Sequence, residues 1–131
     1  MKNRKYAEKF LFKSQQDLLV LKKIYPDLEI VDEIKGFHAQ QAAEKMLKAI
    51  LTYEGIEFPF THRLSDLLDL LKDNQINVPD TFEELRFLTP FAVDFRYDYF
   101  EDAECVKHIW TLFEFIFNIL FFLNFRHYLV Y

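Results

Sequence analysis

FHAQQAAEKMLKAIL, residues 37–51, is the stretch whose periodicity decides the fold. At 100° per residue, Ala39, Ala42, Ala43, Met46, Ala49 and Ile50 gather on one side of a helix. His38, Gln41, Lys45, Lys48 and Thr52 fall on the other, within a sector of roughly 80°. The spacing predicts a helix from about Lys35 to Glu54, stopped by Gly55 at the position past the end that favours a left-handed residue. The alanines are small enough to let a second helix approach closely, which marks them as the core side. The polar side is an unusual mixture of donors, acceptors and a titratable ring, with Gln40 and Glu44 beside it.

Three readings of that polar stripe stay open. It could be a solvated face in which Glu44 and Lys48, at i,i+4, add a few tenths of a kcal/mol. It could instead hold a ligand, with Gln41 and Lys45 offering adjacent groups to a base edge or a phosphate, Lys48 alongside, and His38 as a proton-dependent donor. A polar contact between subunits is the third.

Upstream, Ala7, Phe10, Leu11, Leu18, Leu21 and Ile24 recur at helical spacing with one gap at Ser14, so a helix is expected from about Arg4 to Ile24. Tyr25-Pro26-Asp27 ends it, and residues 27–34 are expected to form a loop or short turn. Asp17 interrupts this apolar stripe and is a candidate partner for Lys45 or Arg96. Downstream, Thr61 has the form of an N-cap for a helix over about 62–73, with Leu64, Leu67, Leu68 and Leu71 on one face. His62 then sits at a helix start, where N–H groups attract anions; the plainer alternative is a ring packed on Phe60 or bonded to a carbonyl. Thr81-Phe82-Glu83-Glu84 matches a capping box, so a further helix is expected near Phe82 and interrupted at Pro90.

A last helix is expected over about 101–125, with acids in its first turn and Arg126-His127 at its end, matching the macrodipole. Its segment 109–125 is apolar, yet Glu114 lies inside it, and a mid-helix carboxylate costs roughly 2.5–3.5 kcal/mol in a bilayer. A core or dimer-interface helix is therefore expected, and no membrane span. Arg96 and Tyr97, in AVDFRYDYF (92–100), are further candidates for phosphate recognition; an ion pair holding a turn is the alternative for Arg96. Asp98, Glu101 and Asp102 have spacing usable for Mg²⁺, but acids belong in a first helical turn anyway, and no metal or other cofactor is expected.

Composition narrows the classes. A chain of 131 residues can bury a core as one domain, 1–131. Only two glycines argue against an all-β fold and exclude Walker and Rossmann loops. Cys105 is alone, so no intrachain disulfide can form; the charged start MKNRKYAEKF has no apolar signal core, and a cytoplasmic location fits both. Sixteen Phe, seven Tyr and one Trp are many rings for a small monomer, which suggests self-association. The net charge is −5, but residues 1–23 carry seven Lys/Arg against Glu8 and Asp17. That local excess suits a small anion or a few nucleotides of RNA better than duplex DNA.

KFLFKSQQDLLVL (9–21), FHAQQAAEKMLKAIL, GIEFPFTHRLSDLLDLL (55–71) and LTPFAVDFRYDYFEDAE (88–104) occur in an order that resembles the HEPN domain (higher eukaryotes and prokaryotes nucleotide-binding). The resemblance covers most of the chain, to about Cys105. It implies an all-α, up-and-down bundle of four to five helices, commonly a homodimer. It also implies a possible small nucleotidyltransferase partner, in toxin–antitoxin-like pairs. Ribonucleases of this family carry R-x(4–6)-H. Here the arginines are 4, 63, 86, 96 and 126 and the histidines 38, 62, 108 and 127, and none has that spacing. The expectation is a noncatalytic protein that binds a nucleotide or RNA and/or such a partner. His38, Gln41, Lys45, Lys48, His62, Arg96 and Tyr97 would form the site. A metal-independent ribonuclease using Arg96, and a pure assembly subunit, are the alternatives.

Overall fold

Helix α1 (Arg4–Ile24) and helix α2 (Asp32–Tyr53) pack against each other along most of their length, joined by the turn at Tyr25–Val31. Helix α3 (Leu64–Asp73) and a 3-10 segment (Asp80–Leu88) then lie against α2 and each other. The computed structural model describes residues 4–78 and 80–88. Every regular element among them is helical, as the periodicity requires. The expected kink at Pro90, the last helix and its apolar segment, Cys105, Arg96, Tyr97 and the acids at 98, 101 and 102 lie outside the described residues.

The α1–α2 contact follows from small side chains. Ala39, Ala42 and Ala43 are fully buried, and Ser14, the gap in the apolar pattern of α1, is buried too. Its hydroxyl donates to the Ala42 carbonyl, so a serine replaces a larger apolar group where the two backbones come close. Leu18 and Leu21 of α1, Met46, Leu47 and Leu51 of α2, and Leu64, Leu67, Leu68 and Leu71 of α3 complete one core with Phe82 and Leu85. Each fully buried leucine contributes about 1.5–3 kcal/mol in transfer free energy. In α2 only Ile34 is exposed, so this helix is enclosed on its polar side as well as on its alanine side.

The helix boundaries show which local signals prevail. Helix α2 begins at Asp32, three residues before the expected Lys35, because Asp32 and Glu33 occupy the first turn, where carboxylates are favoured. It ends as expected: Gly55 has φ 74°, its N–H reaches the Thr52 carbonyl at 3.1 Å, and the Ile56 N–H reaches that of Leu51 at 2.9 Å. These two bonds form a Schellman motif. Helix α3 ends with the same pair, Gln75 to Lys72 at 3.0 Å and Ile76 to Leu71 at 2.9 Å, but the left-handed position holds Gln75 at φ 58°. A side chain there costs about 1–2 kcal/mol against the helical conformation. Gln75→Gly is therefore expected to raise stability by up to about 1 kcal/mol after the entropy of the unfolded glycine is deducted. Urea unfolding of the two proteins measures it, and a lower midpoint for the glycine variant would contradict it.

Thr61 does not cap α3. The N-cap is Arg63, without a side-chain cap. The Thr61 hydroxyl accepts from the Arg63 N–H at 3.0 Å and donates to Asp66 at 3.0 Å, which delays the helix to Leu64.

The 3-10 segment is fixed by burial of Phe82 and Leu85 and by an ionic clamp to α3. Arg86 donates to Glu83 at 2.7 Å, to Asp69 at 2.9 Å and to the Ser65 carbonyl at 3.3 Å, and Lys72 reaches Glu83 at 2.6 Å. Hydrogen bonds from Arg86 and then Lys72 lower the Glu83 carboxyl from 4.5 to about 2. A carboxyl whose folded pKa is depressed stabilises the fold above its unfolded value, and that contribution is lost as pH falls from about 4.5 towards 2. The Glu83 side chain is 42% exposed, so solvent screens the clamp and its contribution is small. Urea midpoints measured from pH 6 to pH 2 are expected to fall less steeply for Glu83→Gln; superimposable profiles would remove the clamp from the acid transition.

Candidate functional site: a hydrogen-bonded stripe on helix α2

Two carboxylates organise the polar stripe, and each holds one lysine and one histidine. The first is Asp17, presented by α1. One of its oxygens accepts from Lys45 Nζ, and the other lies 3.2 Å from His38 Nδ1. The Asp17 side chain is 14% exposed and those of Lys45 and His38 are each 25% exposed, so the trio lines the outer seam between α1 and α2. An ionised carboxylate only accepts, so His38 presents N–H to it at Nδ1, leaving Nε2 for another partner. Of the two partners expected for Asp17, Lys45 is in contact with it, and Arg96 lies outside the described residues.

The second centre is Glu44, in the row Gln40, Glu44, Lys48 along α2. Glu44 accepts from Lys48 at 3.3 Å, from Gln40 at 3.2 Å and from His62 Nδ1 at 2.9 Å. Gln40 also donates to the His62 carbonyl at 3.0 Å, which clamps the α2–α3 connection to α2 at both ends of that residue. The pair expected at i,i+4, Glu44–Lys48, is present but is not a wet-face pair: the side chains are 5% and 10% exposed. Burial of an ion pair is tolerable only when its remaining lone pairs and protons are satisfied. Among the described residues, no buried side-chain N or O lacks a partner.

Gln41 donates to the side-chain amide oxygen Oε1 of Gln40 at 2.7 Å and so leans towards the second centre. His62 precedes α3 by two residues, half of its side chain is exposed, and its ring stands edge-on to Phe60 at 5.5 Å between centroids. That joins the packed-ring alternative to a partner, Glu44, that the residue pattern left unnamed. Phe60 itself is 93% exposed. Lys48 Nζ lies 5.8 Å and 5.9 Å from the Phe58 and Phe60 ring centres, and Phe58 is braced edge-on by Phe10 of α1 at 6.2 Å.

The structure thus brings His38 and Lys45 together at one centre and Gln41, Lys48 and His62 at or beside the other. Arg96 and Tyr97 lie outside the described residues. Gln40, Glu44, Phe58 and Phe60 were absent from the expected site. The signal for the first two was their i,i+4,i+8 row with Lys48, and for the rings their closeness in sequence to His62.

Chemically, both lysines are already neutralised, while the outer edges of two imidazoles and the Gln41 amide remain as hydrogen-bonding groups. No group of three metal-ligating side chains occurs among the described residues. No helix among them is long and apolar enough to cross a membrane.

No curated protein and no solved structure matches the chain. The profile of the HEPN domain matches residues 5–120, which include both carboxylate centres. A match over that much of the sequence establishes the family: the chain belongs to the HEPN domain family.

Proposed function

We propose that this HEPN domain is a noncatalytic, homodimeric protein of the cytoplasm that binds a nucleotide or RNA and/or a small nucleotidyltransferase partner in a toxin–antitoxin-like pair. In this reading, residues 1–131 form one domain. The up-and-down bundle of four to five helices, and a site that includes Arg96 and Tyr97, belong to the same reading.

The observation that carries the reading is the pair of carboxylate centres, which hold His38 and His62 through their Nδ1 atoms. Each centre is electrically balanced by its own lysine, so it offers hydrogen bonds to a base or sugar edge. Lys45 and Lys48 would meet a phosphate only by sharing it with Asp17 or Glu44. The net positive charge for phosphate comes, in this proposal, from Arg96.

Calorimetric titration with ATP, GTP and a short RNA tests it. Binding is expected for the natural chain, with affinity reduced about tenfold in Lys45→Ala and His62→Ala, from the loss of one hydrogen bond each. Equal heats for all three proteins would remove the site.

The Glu44–His62 geometry supports a second reading, because a carboxylate that orients an imidazole also suits a general base. On that reading the domain is a metal-independent ribonuclease with His62 as the base and Arg96 on the phosphate. RNA cleavage in the presence of a chelator, lost in His62→Ala and in Arg96→Ala, would establish it. Intact RNA at every protein concentration would discard it.

A further inference from the structure

Phe60 is 93% exposed, far beyond Phe12 at 60% or Tyr6 at 54%, so folding gains almost nothing from its ring. A single apolar side chain in water is ordinary on a protein surface. What sets Phe60 apart is that the chain on both sides of it is fastened. Upstream, Phe58 packs against the core and is braced edge-on by Phe10. Pro59, between the two rings, has a fixed φ and restricts the backbone of Phe58. Downstream, His62 is held twice, its carbonyl by Gln40 at 3.0 Å and its Nδ1 by Glu44 at 2.9 Å. The Thr61 hydroxyl is bonded to Asp66 and to the Arg63 N–H. The ring therefore stands in water on a short, anchored span of chain.

Its immediate neighbours are polar. The His62 imidazole is inclined at 73° to the ring, and Lys48 Nζ lies 5.9 Å from the ring centre. At 93% exposure neither neighbour covers the ring, and a flat partner can still lie on it. Glu44 engages Nδ1 of His62, so the hydrogen-bonding atom left to this half-exposed imidazole is Nε2. Glu57 and Arg63, on either side in the chain, are both exposed.

These surroundings decide between occupants. A ring that anchors a protein partner sits in a patch whose surrounding contacts keep water out. An apolar side chain laid on Phe60 would instead strip water from the imidazole without bonding to it. A bare phosphate has little to gain from Lys48, which Glu44 already balances. An unpaired nucleobase meets both demands, because its π-face stacks on an aromatic ring and its edge carries donors and acceptors. We propose that Phe60 is the stacking platform for an unpaired nucleobase, of a free nucleotide or of single-stranded RNA, with His62 alongside as the hydrogen-bonding group. The proposal rests on the nucleotide-or-RNA reading above, and adds which part of the ligand is recognised and by which ring.

Calorimetric titration of the full chain with ATP, with a short single-stranded oligoadenylate and with inorganic tripolyphosphate tests it. The variants are Phe60→Ala, Phe60→Leu and Phe60→Trp. Their urea midpoints are expected to match that of the natural chain, since the ring is outside the core. Phe60→Ala is expected to weaken ATP or oligoadenylate binding about 5- to 150-fold, the range for losing one stacked base. Phe60→Leu falls with it although it keeps apolar surface, and Phe60→Trp binds at least as tightly as the natural chain. Tripolyphosphate, which has no base, is expected to bind more weakly than ATP and equally to all four proteins. A loss confined to oligoadenylate assigns the ring to RNA, and a loss with ATP assigns it to a free nucleotide as well. If the natural chain, Phe60→Ala and Phe60→Leu bind ATP and oligoadenylate equally well, the platform is overturned in favour of a protein contact, and the nucleotide reading stands. A leucine variant that keeps the affinity lost by alanine would also overturn it, because aliphatic side chains do not stack on bases. Absence of binding to the natural chain would overturn the platform and the nucleotide reading together.

Discussion

Glu44→Ala is expected to lower the stability of the folded chain by about 3–5 kcal/mol. The carboxylate is the common acceptor for Lys48, Gln40 and His62, and its side chain is 5% exposed. Removing it leaves the Lys48 ammonium buried without its counter-charge, and desolvation of that cation dominates the cost. The Gln40 amide keeps the His62 carbonyl, so its share is smaller. Urea unfolding at neutral pH gives the number.

Two companions separate the contributions. Glu44→Gln keeps an acceptor but not the charge, and is expected to lose less than alanine does. Glu44→Leu combined with Lys48→Met removes both charges and refills the volume, and is expected to recover a large part of the loss. A single Glu44→Ala cost below about 1 kcal/mol would mean that water reaches Lys48, contrary to the enclosed α2 described above. The same variant frees the His62 ring from its Nδ1 contact. Any ligand affinity that depends on His62 is then expected to fall with Glu44, even though Glu44 itself is too buried to touch a ligand.

The sequence reveals direction more readily than depth. The spacing of α1 gives its end at Ile24, and the alanine row of α2 correctly marks the side on which another helix approaches. Asp17 is visible as a break in an apolar stripe, and pairing with Lys45 follows once α1 crosses α2. What the pattern cannot supply is the enclosure of Gln40, Glu44 and Lys48. A row of polar residues at i,i+4,i+8 looks the same whether water or protein lies beyond it, and among the described residues it is the chain returning through Phe58 and His62 that meets the row. Short-range competition explains the misplaced boundaries. Thr61 has the residue type of an N-cap, but its hydroxyl is taken by Arg63 and Asp66. Val31, the N-cap of α2, offers no capping side chain at all, so the start at Asp32 rests on acids in the first turn. At Phe82 the capping-box pattern correctly points to a helical segment, but the segment is wound as 3-10 over Asp80–Leu88, with Thr81 inside it.

Phe82→Ala is expected to cost about 3–5 kcal/mol, the range for deleting a buried aromatic ring. Phe82 is 2% exposed and packs in the same core as Leu68 and Leu71 of α3 and Met46 of α2. A 3-10 winding of nine residues is longer than such segments usually run, because its hydrogen-bond geometry is poorer than that of an α-helix. The winding therefore depends on tertiary contacts, and Phe82, Leu85 and the Arg86 clamp supply them. Two results distinguish how this dependence works. If the segment unfolds with the whole core, urea unfolding of Phe82→Ala stays a single transition with a lower midpoint and an unchanged slope. If the segment detaches first, the slope falls and amide exchange rises selectively at Asp80–Leu88 while α1 and α2 keep their protection. Burial of Phe82 among residues of both α2 and α3 favours the first result. Arg86→Ala, which removes a partly solvated clamp and no core volume, is expected to cost about 1 kcal/mol and to leave the transition single. An Arg86→Ala cost equal to that of Phe82→Ala would show that ionic contacts rather than the ring hold the segment down.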